Sequence, residues 1–298
     1  MLFRFNKIDW KGLSDNKQLK LNIGLAVVLI IFFAFFVDMI FSVSKFRHYA
    51  EKRPVKEEKV IKKEKPAKRK IISFGRSAAK VAIILDDAGG STLDYNALYT
   101  IKEPLTVSVI PEMPSSGRVA KALADRGFEV MLHLPMESIN GGQRRSGGGM
   151  VTCSEKDYEI RKTVLDDLSS VGMAVGFNNH MGSKATADER VMTEVFNAVK
   201  GKDLFFIDSK TTQGSVAFKL AKDFGIPSAM NNIFLDSEAT QPFIENKFRR
   251  LISMARQKGS AIGIGHVTRP ATIAMLKKLM PEYKKEGIEF VYASELVK

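Results

Sequence analysis

The stretch Val81-Ala82-Ile83-Ile84-Leu85-Asp86-Asp87-Ala88-Gly89-Gly90 decides the fold. Its apolar run, Val81 to Leu85, has the length of a strand, and it stops at two carboxylates followed by residues that let the backbone turn sharply. Neighbouring side chains on a regular strand point to opposite faces, so Asp86 and Asp87 share one rim only if the strand ends there. One of the pair is then free to bind a cation while the other remains a base. A capping pair on a loop is the plainer alternative.

Working outward, the same unit recurs. Short apolar runs at 105–110, 128–134, 174–177, 204–207, 233–235, 261–264 and 288–292 alternate with helix-like stretches at 117–126, 154–171, 188–199, 214–224, 239–257 and 271–285. Several stretches open with a capping residue and close at a glycine, as Ser154 and Gly172 do. Seven or eight strand–helix units predict an α/β protein built as a deformed (β/α) barrel over residues 80–298. A doubly wound open sheet is the alternative, but no dinucleotide-type glycine fingerprint follows the first run. Gly141 to Gly149 form a glycine-rich loop after the third run.

Polar residues cluster at the ends of the runs. Asp86 and Asp87 end the first, His133 the third, Asn178, Asn179 and His180 the fourth, Asp208 the fifth, and His266 follows the seventh. In a barrel these positions gather at the C-terminal rim, where catalytic side chains sit. Of the chain's 4 histidines, only His48 lies elsewhere. One carboxylate and two imidazoles leave coordination positions for water and substrate, so Asp87, His133 and His180 are the candidate ligands of a divalent metal such as zinc. Glu137 is a fourth ligand, an orienting partner of His133, or a loop cap. His266, within Gly263-Ile264-Gly265-His266, is a candidate proton donor because histidine titrates near neutrality. Asp208 either holds the His266 tautomer, binds substrate or accepts from loop amides. Asn178 and Asn179 are candidate substrate-binding or orienting groups.

The flanks differ in kind from this domain. Leu21 to Val43 is apolar apart from Asn22, Asp38 and two serines, and it predicts one uncleaved transmembrane helix after a short basic segment, residues 1–20. A cleaved signal peptide and a buried helix are the alternatives. Residues 44–79 form a charged linker. Within it, residues 45–70 carry 12 Lys+Arg against 4 Glu. That charge suits a tether, or contact with anionic lipid headgroups or an acidic polymer. Of the formal +13, this segment holds +8 and residues 1–20 hold +3; Asp38 subtracts one, which leaves +3 for 71–298. The domain therefore has no nucleic-acid footprint of its own. The single cysteine, Cys153, excludes an internal disulfide and a cysteine-based zinc cluster. Basic residues on both sides of the span leave its orientation a near tie.

The segments Ile84-Leu85-Asp86-Asp87-Ala88-Gly89, His133-Leu134-Pro135-Met136-Glu137, Asn178-Asn179-His180-Met181-Gly182-Ser183, Phe206-Ile207-Asp208-Ser209 and Ile264-Gly265-His266 resemble, in order and spacing, the motifs of the divergent polysaccharide deacetylases. The resemblance implies a deformed (β/α) barrel and metal-dependent deacetylation of an N-acetylated polysaccharide. Asp86 inherits the role of base and Asp87 that of metal ligand. It also implies the cell envelope, with a single-pass inner-membrane anchor and the domain on the periplasmic or outer side. Three positions depart from the wider superfamily. Glu137 stands where a second histidine is usual, Val267-Thr268-Arg269 replace a proline-rich continuation, and Asn231-Asn232 replace a basic–acidic pair before Phe234-Leu235-Asp236. They motivate the alternative of a catalytically inactive envelope protein that binds glycan or protein on the same fold.

Overall fold

The computed structural model describes residues 78–90, 93–141 and 149–298, together with Phe33. The chain divides into two units, residues 1–71 and 72–298, and the architecture below is that of the second. The expected basic segment 1–20, the span Leu21–Val43 and the linker 44–79 lie outside the described residues, except for Phe33 and residues 78–79. So do residues 142–148 of the glycine-rich loop. Among the described residues no helix is long and apolar enough to cross a membrane.

Strands and helices alternate in the order β1 (Ala79–Ala88), β2 (Thr106–Val109), α1 (Ser116–Ala124), β3 (Glu129–Met136), α2 (Asp157–Val171), β4 (Gly176–Met181), α3 (Glu189–Val199), β5 (Phe205–Asp208), α4 (Ala217–Asp223), β6 (Ser228–Met230), β7 (Ile233–Phe234), α5 (Gln241–Lys258), β8 (Ser260–His266), α6 (Pro270–Lys285) and β9 (Ile288–Val291). All paired strands run parallel, in the order β6-β5-β4-β3-β2-β1-β8-β7. The two ends of that order are consecutive in the chain. Asn231 and Asn232 join them, donating to the carbonyls of Asp208 and Ile262 respectively, so the sheet curls and the chain bridges its two ends without a hydrogen-bonded pairing of β6 with β7. This curled, all-parallel α/β sheet fits the expected deformed (β/α) barrel.

The sheet has nine strands where seven or eight were expected. The extra one is β6, three residues too short to stand out as an apolar run, which pairs with β5 while β7 pairs with β8. The last strand, β9, pairs only with Ala79–Ala82 at the start of β1, below the part that pairs with β2. The α2 start also differs from expectation. Ser154 does not cap it; the N-cap is Lys156, whose backbone N–H donates to Glu159 Oε2 at 2.8 Å. Gly172 does close it, at φ 71.

The alternation of β1 sets what the barrel presents. Val81, Ile83 and Leu85 pack in the core shared with helix residues such as Val164, Val195, Phe248 and Leu276. Ala82 and Ile84 belong to a second core made with Met131, Phe205, Ile207, Ile262 and Ile264, all on strands. That second core is the barrel interior. Continuing the inward parity by two residues reaches Asp86 on β1, His133 on β3 and His266 on β8.

Candidate metal centre

Asp86 is paired in register with His266, and His133 with Asn178. Asp87 follows Asp86 and would face outward on a regular strand. The β1 register shifts between Leu85 and Ala88, however, and Asp87 takes a left-handed φ of 68. A non-glycine residue pays strain for that backbone conformation, and the result is that both carboxylates reach the same rim. His180 comes two residues after Asn178 on β4, which gives it the same facing.

Three ligand atoms converge there. Asp87 Oδ1 lies 3.4 Å from His133 Nε2 and 3.1 Å from His180 Nδ1, and the two ring nitrogens are 3.1 Å apart. The imidazoles meet edge to face, at 74°. Asp87 Oδ1 is buried and has no hydrogen bond of good geometry among the described residues. Two imidazole nitrogens facing each other and one orphaned carboxylate oxygen require a proton or a cation between them. Ligands held about 2.0–2.1 Å from a tetrahedral zinc ion stand about 3.3–3.4 Å from one another, close to the separations observed. The donor set therefore fits a divalent metal, and no other group of His, Cys, Asp or Glu among the described residues offers such a cluster.

Electrostatics in the cluster are those of groups sharing too few protons. Burial pushes the Asp87 carboxyl up, but the adjacent His133 and His180 rings outweigh it and hold the group well below the usual range. At His133 burial favours the neutral ring, yet the Asp86 and Asp87 carboxylates raise its pKa overall. At His180 burial wins, helped by repulsion from His133, and the pKa falls. Opposite tendencies in two touching imidazoles leave one of them a ready lone-pair donor.

Around the cluster, Asp86 is almost wholly buried and accepts from Asn178 Nδ2 at 2.9 Å, while its Oδ2 lies 3.7 Å from His133 Nε2. Asn178 Oδ1 is 2.8 Å from His133 Nδ1. The partner of His266 is Asp236, just after β7. One carboxylate oxygen meets His266 Nδ1 at 2.8 Å, and the other accepts from the His266 backbone N–H at 2.8 Å and the Thr272 hydroxyl at 2.7 Å. Burial lowers the His266 pKa, but Asp236 more than reverses this, so it stands above the ordinary value. Gly265 makes the approach possible, because a Cβ there would lie 2.8 Å from Thr272 Cγ2 and 3.4 Å from Asp236 Oδ2.

Asp208, Asn179 and Glu137 do not join the cluster. Asp208 faces away from the interior, by the parity that turns Phe205 and Ile207 inward. It accepts from Lys210 N at 2.8 Å and Ser215 Oγ at 2.7 Å, and so holds the loop after β5 rather than the His266 ring. Asn179 also faces away, bonding Ser209 N and the Met181 carbonyl. Neither orients a cluster residue directly. Glu137 binds Lys184 Nζ at 2.6 Å and Cys153 N at 2.7 Å, the loop-cap alternative rather than a ligand. At Cys153 beside it, burial and then the Glu137 carboxylate push the thiol up to about 11, which disfavours the reactive thiolate. The sequence carries a signal for Asp236 too, since it ends the run Ile233–Leu235 just as Asp208 ends Leu204–Ile207.

Residues 83–297 match the model of a family described as divergent polysaccharide deacetylase. An uncharacterized protein of Haemophilus influenzae is 36% identical over 205 residues, 69% of this chain and 72% of that one. The uncharacterized Escherichia coli protein YibQ is 30% identical over 240 residues, 78% of this chain and 74% of that one. Among solved structures, that of an uncharacterized protein from Agrobacterium tumefaciens superposes with a TM-score of 0.68 at 23% identity, covering 75% of this chain and 91% of that one.

Proposed function

Because the chain belongs to the divergent polysaccharide deacetylase family, we propose that it hydrolyses an acetamide on an N-acetylated envelope polysaccharide, with a divalent metal, zinc, as cofactor. One observation carries the reading: Asp87, His133 and His180 converge within 4.8 Å of one another, beside a buried carboxylate, Asp86, that is paired in register with His266. Asp87 Oδ1, His133 Nε2 and His180 Nδ1 would hold the ion. When bound, it supplies Lewis acidity that polarises the acyl carbonyl and lowers the pKa of a water.

The chain's own residues do the rest. Asp86, with one oxygen tied to Asn178, accepts the proton of the attacking water on its free oxygen. His266 carries its Nδ1 proton against Asp236, so Nε2 is the atom that delivers a proton to the departing nitrogen. Asp236, fully buried, raises the pKa of that ring and so favours its charged form before the transfer. By the same proposal, Leu21–Val43 anchors the chain in the inner membrane with the domain on the outer side, and the basic linker lies against anionic headgroups.

The test is metal content of the full chain and of Asp87→Ala, His180→Ala and His266→Ala, followed by acetate release from N-acetylated glycans. We expect about one zinc per chain, lost in the first two variants and kept in the third. Acetate release should disappear in all three. No bound ion after reloading would sink the hydrolytic mechanism. A zinc-loaded chain that binds glycan without releasing acetate would favour the inactive binding protein instead.

A further inference from the structure

Asn178 is wholly buried on β4, and its amide touches two groups that together fix which way round it sits. A carboxylate accepts only, so the side-chain NH2 is the end that faces Asp86 Oδ1 at 2.9 Å. The carbonyl oxygen is left facing His133 Nδ1 at 2.8 Å. A carbonyl also accepts only, so Nδ1 carries the ring proton. In the neutral ring the lone pair then lies on Nε2, the atom 3.4 Å from Asp87 Oδ1 and 3.1 Å from His180 Nδ1.

We propose that Asn178 is a positioning residue that imposes the Nδ1–H tautomer on His133 and holds Asp86 by one oxygen, coupling the base to a metal ligand through a single amide. The assignment takes its purpose from the metal reading above, but its geometry stands without a metal. With Nε2 protonated instead, His133 would aim an N–H at the cation's position. Without the NH2 anchor, the Asp86 carboxylate would lose its only hydrogen-bond donor among the described residues. Strand β4 thus delivers a ligand, His180, and the residue that prepares a second ligand on the neighbouring strand, two positions apart.

The experiment is nitrogen-15 NMR of the histidine rings in the metal-free full chain, raised in pH until the His133 ring is neutral, for the unmutated protein, Asn178→Ala and Asn178→Asp. The unmutated ring should retain its proton on Nδ1. Asn178→Ala should move it to Nε2 and weaken zinc binding about 10–100-fold, the usual penalty for losing a ligand's hydrogen-bond partner. Asn178→Asp, whose carboxylate still accepts from Nδ1–H, should restore the tautomer, a rescue that a purely packing role would not give. A neutral ring protonated on Nε2 in the unmutated chain overturns the proposal, as does a tautomer indifferent to Asn178→Ala. The first of these needs no variant to fold. A chain that takes up no zinc yet shows the Nδ1–H tautomer, lost in Asn178→Ala, would refute the metal reading and uphold this one.

Discussion

Replacing Asp167 with asparagine should remove a pH-dependent weakness from the fold. Asp167 lies on the buried stripe of α2 with Ile160, Val164 and Val171. Neither of its carboxyl oxygens has a hydrogen-bond partner among the described residues. Burial, and then repulsion from Glu112, Asp166 and Glu155, pushes its pKa up to about 8 from an ordinary 3.8. A pKa raised on folding means that the folded state keeps a proton the unfolded chain releases. The group's contribution is therefore intact below about pH 4 and falls as pH rises toward 8, by about 1.4 kcal/mol per unit. Between pH 5 and pH 7 the loss comes to about 2.7 kcal/mol. An asparagine does not ionise, so the stability difference between Asp167→Asn and the unmutated chain should shift by that amount in favour of the variant over the same interval. Urea unfolding of both proteins at pH 5, 6 and 7 measures the shift, and any fixed preference for acid or amide cancels from it. Parallel pH dependences, differing by less than about 0.5 kcal/mol across the interval, would refute a buried, unpaired Asp167.

Three further outcomes follow from the rim. Asp236→Asn should keep zinc but move the alkaline limb of the kcat–pH profile to lower pH, because His266 then loses the carboxylate that raises its pKa and surrenders its proton sooner; an unmoved limb would remove Asp236 from the proton-delivery path. Gly265→Ala should destabilise the fold by about 1–3 kcal/mol in thermal or urea unfolding, since the added methyl meets Thr272 at 2.8 Å. Glu137→Ala should leave zinc stoichiometry unchanged and lower the melting temperature by a few degrees through its lost bonds to Lys184 and Cys153; loss of the ion would restore Glu137 as a ligand.

Much of this architecture is legible before any coordinates. The run Val81–Leu85 ending in two carboxylates announces β1, and the repeated pairing of apolar run with helical stretch announces a parallel barrel. Parity within each strand is the signal that separates the rim residues. His133, Asn178 and His266 continue the inward positions, whereas Asn179 and Asp208 fall one residue out of step and hold loops. Asp87 breaks the rule by its backbone, at φ 68, and parity alone would have assigned it to the wrong face. The pairing of Asp236 with His266 was not legible, because it depends on β7 lying beside β8 and on the room left by Gly265, both matters of tertiary register. Strand β6 escaped for a related reason: three residues carry no periodicity, and only the edge of β5 makes them a strand.

The pairing of β1 with β8 and β9 constrains how the protein is made. Lys80 finds its partner Ser260 some 180 residues later, and Ala79 waits longer still, for Ile288. At roughly 5–20 residues per second of synthesis, β1 leaves the ribosome roughly 10–40 s before β8 and β9 exist. During that interval the edge of β1 that will pair with β8 is open, a natural target for a holdase and a point of aggregation without one. Completion of the barrel therefore waits for β8 and β9, and a chain lacking β9 would leave the Ala79–Ala82 edge of β1 without its partner.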